Sequence, residues 1–318
     1  MTPGKPSTAK LFAAFAAVYL IWGSTYLAIR FAIETMPPLL MASLRFLIAG
    51  AILYVWTRGK TPKPPTRKNW RQAFTLGALM ILGGNGCVVL SEQWVPSAFA
   101  AILVATVPLW IALFSWIRPG GLRPSPQVAL GIVLGFAGVT MLIGLGNLQG
   151  AGVVDSRGVV LLLFSSISWT IGSLYSQNLH ISDSPFQAAA MQMLGGGTWL
   201  ALAGLIRGEA ARFHPSEFSG PSVFALVYLA ILGSLVGFTA YSWLLKATTP
   251  SRAATYAYVN PAVAVVLGWA IAGEPITPRM VVSMCIIVAA VIVITTARRE
   301  SVVSETIPTS RAETPRPS

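Results

Sequence analysis

Charge is scarce in this chain. Asp, Glu, Lys and Arg make up 10% of its 318 residues, while hydrophobic residues make up 54%. Soluble domains carry about 25% charged residues, and a surface so poor in charge cannot keep this much apolar area in water. A soluble enzyme or binding domain is excluded. Cysteine is nearly absent: Cys87 and Cys285 sit in separate apolar runs, with no disulfide or metal spacing. The two histidines, His180 and His214, fall in polar segments, and there is no His-Glu-x-x-His and no G-x-x-x-x-G-K-[ST] loop. These absences remove metal-dependent intramembrane catalysis and ATP hydrolysis by the chain itself. No metal and no cofactor is expected. No Asp or Glu lies in the middle of an apolar run. Proton-coupled carriers usually rely on such a group, so the pattern favours a facilitator, with Glu34 and Glu92 near one mouth left as groups that could titrate.

Long apolar runs are what remain. A spanning helix needs about 20 mostly apolar residues, and ten stretches qualify: 11–32, 38–56, 72–90, 97–117, 126–146, 158–178, 185–206, 221–244, 252–272 and 279–296. Backbone polar groups cannot go unpaired in lipid, so these runs are read as helices. A β-barrel would need alternating segments of about ten residues, and Ala253 to Gly273 does not alternate. Leu11 to Ile29 is uncharged over 19 residues with no Ala-x-Ala-like cleavage site after it, which reads as a permanent span and not a secretory leader.

The net charge of +12 does not point to nucleic acid, because the basic residues lie in short segments between apolar runs. With the N-terminus inside, the inside segments hold 16 Lys and Arg residues, chiefly Arg58, Lys60, Arg67, Lys68 and Arg71 with Arg298 and Arg299, and the outside segments hold four, Arg157, Arg207, Arg212 and Arg279. That bias places both termini in the cytoplasm. Residues 1–10 are read as a cytoplasmic N-terminal tail and 297–318 as a disordered one, polar and rich in Pro, Ser, Thr and Glu from Ser301 onward.

The chain repeats itself. Trp22 precedes Pro38 by 16 residues and Trp169 precedes Pro185 by 16; Ala101, Pro108 and Trp116 share spacings of seven and eight with Ala254, Pro261 and Trp269. Together these matches indicate a duplicated five-helix unit, residues 11–146 and 158–296. An odd number of spans makes the second unit start outside, so the halves are inverted, a recurring design of secondary transporters. The fold class expected is all-α integral membrane, ten helices in two inverted five-helix repeats around a central cavity.

At these residues the chain resembles a known family. Trp22-Gly23-Ser24-Thr25-Tyr26, Pro37-Pro38 and Leu44-Arg45-Phe46 resemble the opening of the EamA-type drug/metabolite transporters. Tyr258-Val259-Asn260-Pro261, Gly268 and Gly273-Glu274-Pro275 are similar to their close. Where the family often has Gly-Glu after the fourth span, this chain has Arg118-Pro119-Gly120-Gly121. The resemblance implies ten helices, a central cavity and transport of metabolites, often export of amino acids or drug-like compounds.

Candidate residues follow. Arg45 is the one charge deep in an apolar span, roughly 10 Å below the outer end at about 1.5 Å per residue. A charge there costs about 2.5–3.5 kcal/mol on insertion scales, so it faces a cavity or a partner. Either it holds a substrate carboxylate, or it locks helices by pairing with Glu34, Glu92 or backbone carbonyls. Trp22, Tyr26, Arg45, Trp169, Tyr256 and Asn260 are the expected cavity residues, with Asn85 a further polar residue in lipid; helix–helix bonding is the competing role. Phe15, Tyr19, Trp22 and Tyr26 form one stripe on the first helix, with Trp169, Ser173 and Ser176 on the sixth. Glu34, four residues after Arg30, is either a surface ion pair or an outer gate. Pro108 and Pro261 are hinges or static kinks. Gln192 stands where the repeat register puts Arg45. Gly131, Gly135 and Gly138 permit close helix packing, within the chain or in a homodimer. The function expected is a secondary transporter that moves a small metabolite, an amino acid or similar amphiphile, in the export direction across an inner membrane by alternating access. A multi-span enzyme acting on lipid-linked substrates and a non-transporting receptor are the alternatives.

Overall fold

The computed structural model describes residues 7–60, 64–117, 124–144, 155–177, 179–248, 253 and 255–305. Among these there is no strand. Ten apolar helical segments follow the order of the sequence runs: α1 (Thr8–Ala32), α2 (Pro38–Arg58), α3 (Arg67–Ser91), α4 (Ser97–Ile117), α5 (Pro126–Ile143), α6 (Ser156–Ser176), α7 (Pro185–Ile206), α8 (from Gly220 to Ala247), α9 (Tyr256–Ala272) and α10 (Pro278–Glu305). Among the described residues, the first eight are long and apolar enough to cross a membrane, and two shorter apolar helices, Val259–Ala272 and Pro278–Ile294, follow. Proline sets several starts: it stands at the first helical position of α2, α5 and α7, where its missing N–H costs nothing.

Three features depart from the sequence expectation. First, α3 and α8 each contain a π-helical run, Gly77–Gly86 and Leu229–Phe238. The widened turns leave carbonyls open to outside donors. Ser168 Oγ donates to Leu79 O and Ser165 Oγ to Gly84 O, both at 2.7 Å, and Trp22 Nε1 donates to Gly233 O at 3.1 Å. Second, the matched prolines behave differently. α4 loses helical form at Ala105–Thr106, just before Val107-Pro108, whereas α9 stays helical through Pro261. Third, α10 continues to Glu305, beyond the point at 297 where an unstructured tail was expected; residues 306–318 lie outside the described ones, as do 1–6 and the Arg118-Pro119-Gly120-Gly121 segment.

The helices pack in a definite set of pairs. α2 lies on α7, α5 on α10 and α4 on α9; α1 touches α8 and α9, α6 touches α3 and α4, and α3 meets α7 as α2 meets α8. Small residues set the closest approaches. The Gly131, Gly135 and Gly138 face of α5 is covered by Ile294, Ala290 and Ile287 of α10 and by Leu109 of α4. That glycine face is occupied within the chain, which removes it as a surface for a second copy.

Gly23 in the Trp-Gly-Ser-Thr-Tyr segment works the same way: a Cβ there would stand 2.6 Å from Val263 Cβ on α9. Gly23→Val is expected to cost about 1–3 kcal/mol by overpacking, read as a lower melting temperature of the purified protein. Gly59→Val, where a Cβ meets nothing within 4 Å, is expected to leave that temperature unchanged.

Candidate functional site

One end of the bundle carries the basic loop residues Arg58, Lys60, Arg67 and Lys68; the other carries Glu34, Glu92, Glu209 and Glu274. These are called here the basic end and the acidic end. Between them lies a cavity of about 70 Å³ walled by α1, α2, α3, α4, α6, α8 and α9. At the roughly 10–15 Å³ that one water needs, it holds about five waters. Trp22, Tyr26, Arg45, Trp169, Tyr256 and Asn260 all line it, so the six residues expected to share a cavity are brought together.

Arg45 is 3% exposed and sits toward the acidic end. Its Nε donates to Ser234 Oγ at 2.7 Å, and its guanidinium carbon lies 4.7 Å from the centre of the Phe46 ring. It makes no ion pair with Glu34 or Glu92 among the described residues, so the partner anticipated from sequence is corrected to a serine of the α8 π run. Its Nη1 is buried with no hydrogen-bond partner, as is Asn85 Oδ1 in the facing wall. A charged donor and an amide acceptor thus project into one small cavity without protein partners, which is costly unless something else bonds them.

The floor toward the basic end is aromatic. Trp22 packs edge-on against Trp169 (centroids 5.9 Å) and Tyr256 (5.2 Å), and Tyr241 closes the group at 4.9 Å from Trp22 and 5.6 Å from Tyr256. Such edge-to-face contacts are stabilising beyond their buried area. Gly237 makes room: a Cβ there would meet Trp22 Nε1 at 2.6 Å. Just below, Tyr19 Oη and Thr255 Oγ1 are hydrogen-bonded at 2.6 Å. Asn260, with its amide turned to donate, reaches Tyr19 O at 3.1 Å and Tyr256 O at 3.2 Å, so it both lines the cavity and ties α1 to α9. A second hollow of about 220 Å³ opens at the basic end, lined by residues including Leu76, Ser176, Pro185 and Gln192. Gln192 faces that hollow and donates to Met80 Sδ at 3.2 Å; it does not share the cavity of Arg45.

The acidic end is closed by two carboxylates that sequence reasoning did not assign. Neither α2 nor α4 is capped by a side chain of its own, because Pro37 and Pro96 occupy the cap positions. Buried N-terminal N–H groups need acceptors. Glu209 Oε2 accepts from Leu39 N (2.9 Å) and Leu40 N (3.0 Å), and Glu274 accepts from Ser97 N (2.9 Å) and Ala98 N (3.0 Å). Negative charge at a helix start is also favoured by the helix dipole. One local device aims both: Gly208 (φ 73°) and Gly273 (φ 63°) take the left-handed conformation after α7 and α9, turning the next residue inward. Repetition of Gly-Glu after the seventh and ninth runs was the available signal. Arg30 Nη1 lies 3.5 Å from Glu274 Oε1. Glu34, expected to pair with Arg30, is exposed, so the ion pair at this end is corrected from Glu34 to Glu274. Tyr241 was also missed; nothing in its neighbours distinguishes it from a packing aromatic.

Glu274→Ala removes two N–H acceptors and the partner of Arg30. It is expected to destabilise by about 0.5–2 kcal/mol, the range for a lost helix cap, and to lower the melting temperature clearly more than Glu34→Ala, measured on the purified protein.

Comparisons with known proteins give the family of the chain. The model of the EamA-like transporter family matches residues 9–144 and again 156–296. The chain is 40% identical over 286 residues, 90% of each chain, to the "Uncharacterized inner membrane transporter YedA" of Escherichia coli (strain K12). It is 24% identical over 281 residues, 88% of this chain and 90% of the other, to the "Uncharacterized transporter YvbV" of Bacillus subtilis (strain 168). A solved structure described as "Crystal structure of protein" shares the fold at a TM-score of 0.64 and 20% identity, over 92% of this chain and all of that one. With two matched units spanning its apolar helices, this multi-pass membrane chain belongs to the EamA-like transporter family.

Proposed function

We propose that the protein is a secondary carrier that exports an amino acid or similar amphiphilic metabolite across the inner membrane by alternating access. The observation that carries this reading is the Arg45 guanidinium, buried in a central cavity with an unpartnered Nη1 opposite an aromatic floor. Arg45 holds the substrate carboxylate, and Trp22, Tyr26, Trp169 and Tyr256 hold the apolar or cationic remainder, with Asn260 beside them. Both termini are cytoplasmic, so the basic end faces inward, in keeping with the positive-inside rule.

The pattern of contacts supports two inverted five-helix units, residues 11–146 and 158–296. Exchanging α1–α5 for α6–α10 turns the α1–α9 contact into α6–α4, α3–α6 into α8–α1 and α3–α7 into α8–α2, and every one of these pairs is present. The π runs occupy matching places in α3 and α8. In this reading Glu274 with Arg30 forms the outer gate, the Trp22–Trp169–Tyr241–Tyr256 group forms the inner one, and Pro108 and Pro261 act as hinges. Alternating access requires a gate on each side of one site, with the two opening in turn.

The test is counterflow of labelled amino acids in proteoliposomes. Losing a charge-assisted hydrogen bond is worth about 1.5–3 kcal/mol, so Arg45→Ala is expected to raise the half-saturating concentration at least tenfold. Arg45→Lys keeps the charge without the planar fork and is expected to fall between. Unchanged counterflow by folded Arg45→Ala protein would remove Arg45 from the binding site.

A further inference from the structure

We infer that the central cavity takes the zwitterionic head of a small apolar α-amino acid, with Asn85 as the residue that selects for the ammonium group. This rests on the carrier reading above and narrows it: the carboxylate goes to Arg45, the ammonium to Asn85 and the side chain to the aromatic floor.

Several polar groups in the cavity wall are already engaged by the protein itself. Thr25 Oγ1 donates to Trp22 O at 2.7 Å, Ser165 Oγ to Gly84 O at 2.7 Å and Trp22 Nε1 to Gly233 O at 3.1 Å. Asn260 is turned to Tyr19 O and Tyr256 O. Three lining side chains keep a buried polar atom with no hydrogen-bond partner: Arg45 Nη1, Asn85 Oδ1 and Trp169 Nε1. The first and last are donors, one of them charged, and the Asn85 oxygen is an acceptor. A lone carboxylate leaves the acceptor unmet, and a lone amine leaves the donors unmet. A zwitterion complements both, and an unmet buried group is what costs most.

Local sequence fixes where Asn85 stands. Gly84 and Gly86 flank it in the π run of α3. A Cβ at Gly84 would meet Trp169 Cε3 at 2.8 Å, and one at Gly86 would meet Leu200 Cδ2 at 2.8 Å. α6 and α7 thus pack closely on α3 at either side of Asn85, whose own side chain lines the cavity. Asn85 is six residues before Ser91 at the end of α3, and Arg45 is seven after Pro38 at the start of α2. At about 1.5 Å per residue both lie roughly 10 Å below the acidic end, and α2 packs on Cys87–Ser91 of α3.

The other half of the chain lacks both groups. The ninth position of the π run is Asn85 in α3 and Gly237 in α8. Seven residues after the leading proline, α2 has Arg45, whereas α7 has Gln192, which faces the second hollow. Donor and acceptor therefore occur together, on one side of one cavity. Size limits what joins them. The five or so waters the cavity holds correspond to about 150 Å³ of liquid, the room valine takes and well short of what tryptophan takes. With the head on Arg45 and Asn85, a branched apolar side chain meets Trp22, Trp169 and Tyr256. The carboxylate, bound to Arg45, screens the ammonium from the guanidinium.

The test reads binding to purified full-length protein as the ligand-induced rise in melting temperature. The titrants are L-valine, isovalerate, which lacks the ammonium, and isobutylamine, which lacks the carboxylate. Wild type is expected to bind L-valine at least about tenfold more tightly than either analogue. Asn85→Leu is expected to lose the preference for L-valine over isovalerate and to keep that over isobutylamine; Arg45→Ala is expected to do the reverse. Asn85→Ala, which adds no bulk, gives the same reading if Asn85→Leu does not fold. Equal weakening of L-valine and isovalerate in the Asn85 variant, which a merely structural Asn85 would give, overturns the inference and leaves the role of Arg45 standing. So does wild type that binds isovalerate as tightly as L-valine, or that shows counterflow of other amino acids without binding L-valine. The crossed pattern of preferences in protein that shows no amino-acid counterflow in proteoliposomes would instead overturn the carrier reading and leave the zwitterion site.

Discussion

Two helix starts that cannot cap themselves govern the acidic end of this molecule. Pro37 and Pro96 precede α2 and α4 and offer no side-chain acceptor, yet the N–H groups of Leu39, Ser97 and Ala98 are buried. In a membrane no water is at hand to satisfy them. Glu209 and Glu274 do so from turns after α7 and α9, and each bond joins parts of the chain about 170 residues apart or more. These carboxylates hold α2 against α7 and α4 against α9, and Glu274 adds the link through Arg30 to α1. The positions of Arg45, one turn and more below the start of α2, and of Glu92, just before α4, depend on that closure.

The two ends are built from different chemistry. Where α7 is followed by Arg207-Gly208-Glu209, α2 is followed by Arg58-Gly59-Lys60; where α9 is followed by Gly273-Glu274-Pro275, α4 is followed by Arg118-Pro119-Gly120-Gly121. The start of α7 is capped locally, by Ser184 Oγ accepting from Gln187 N at 3.4 Å. Charge and hydrogen bonds close the acidic end, while aromatic contacts among Trp22, Trp169, Tyr241 and Tyr256 close the cavity floor. A hydrogen-bonded carboxylate in a dry site is held by directional forces that weaken when water enters; aromatic packing yields by rotation of side chains.

Much of the architecture was legible because lipid leaves so few options. Runs of about 20 apolar residues must be helices, and the prolines at 38, 126, 185 and 278 marked their starts. Arg45 was legible because a charge in an apolar run is conspicuous, but its partner was not: Ser234 is 189 residues away, and sequence offers no rule for such a pairing. The π runs in α3 and α8 were invisible, since an extra residue per turn leaves composition unchanged. Glu274 was recognised as part of a motif without its role, Glu92 was singled out as a group that could titrate and as a possible partner of Arg45, and Glu209 passed as an ordinary loop residue beside polar neighbours. What the sequence could not supply was the third dimension that turns a loop carboxylate inward.

The most direct test of this account is sided labelling of a single cysteine in the cavity. Thr25 lines it; Thr25→Cys, with Cys87 and Cys285 replaced, would be exposed to a membrane-impermeant thiol reagent from one side or the other of oriented membrane vesicles. The account predicts protection from the acidic-end side in the otherwise unaltered protein and rapid labelling from that side once Glu274→Ala is added. Equal labelling from both sides before and after the Glu274 substitution would contradict it, because the carboxylate would then close nothing.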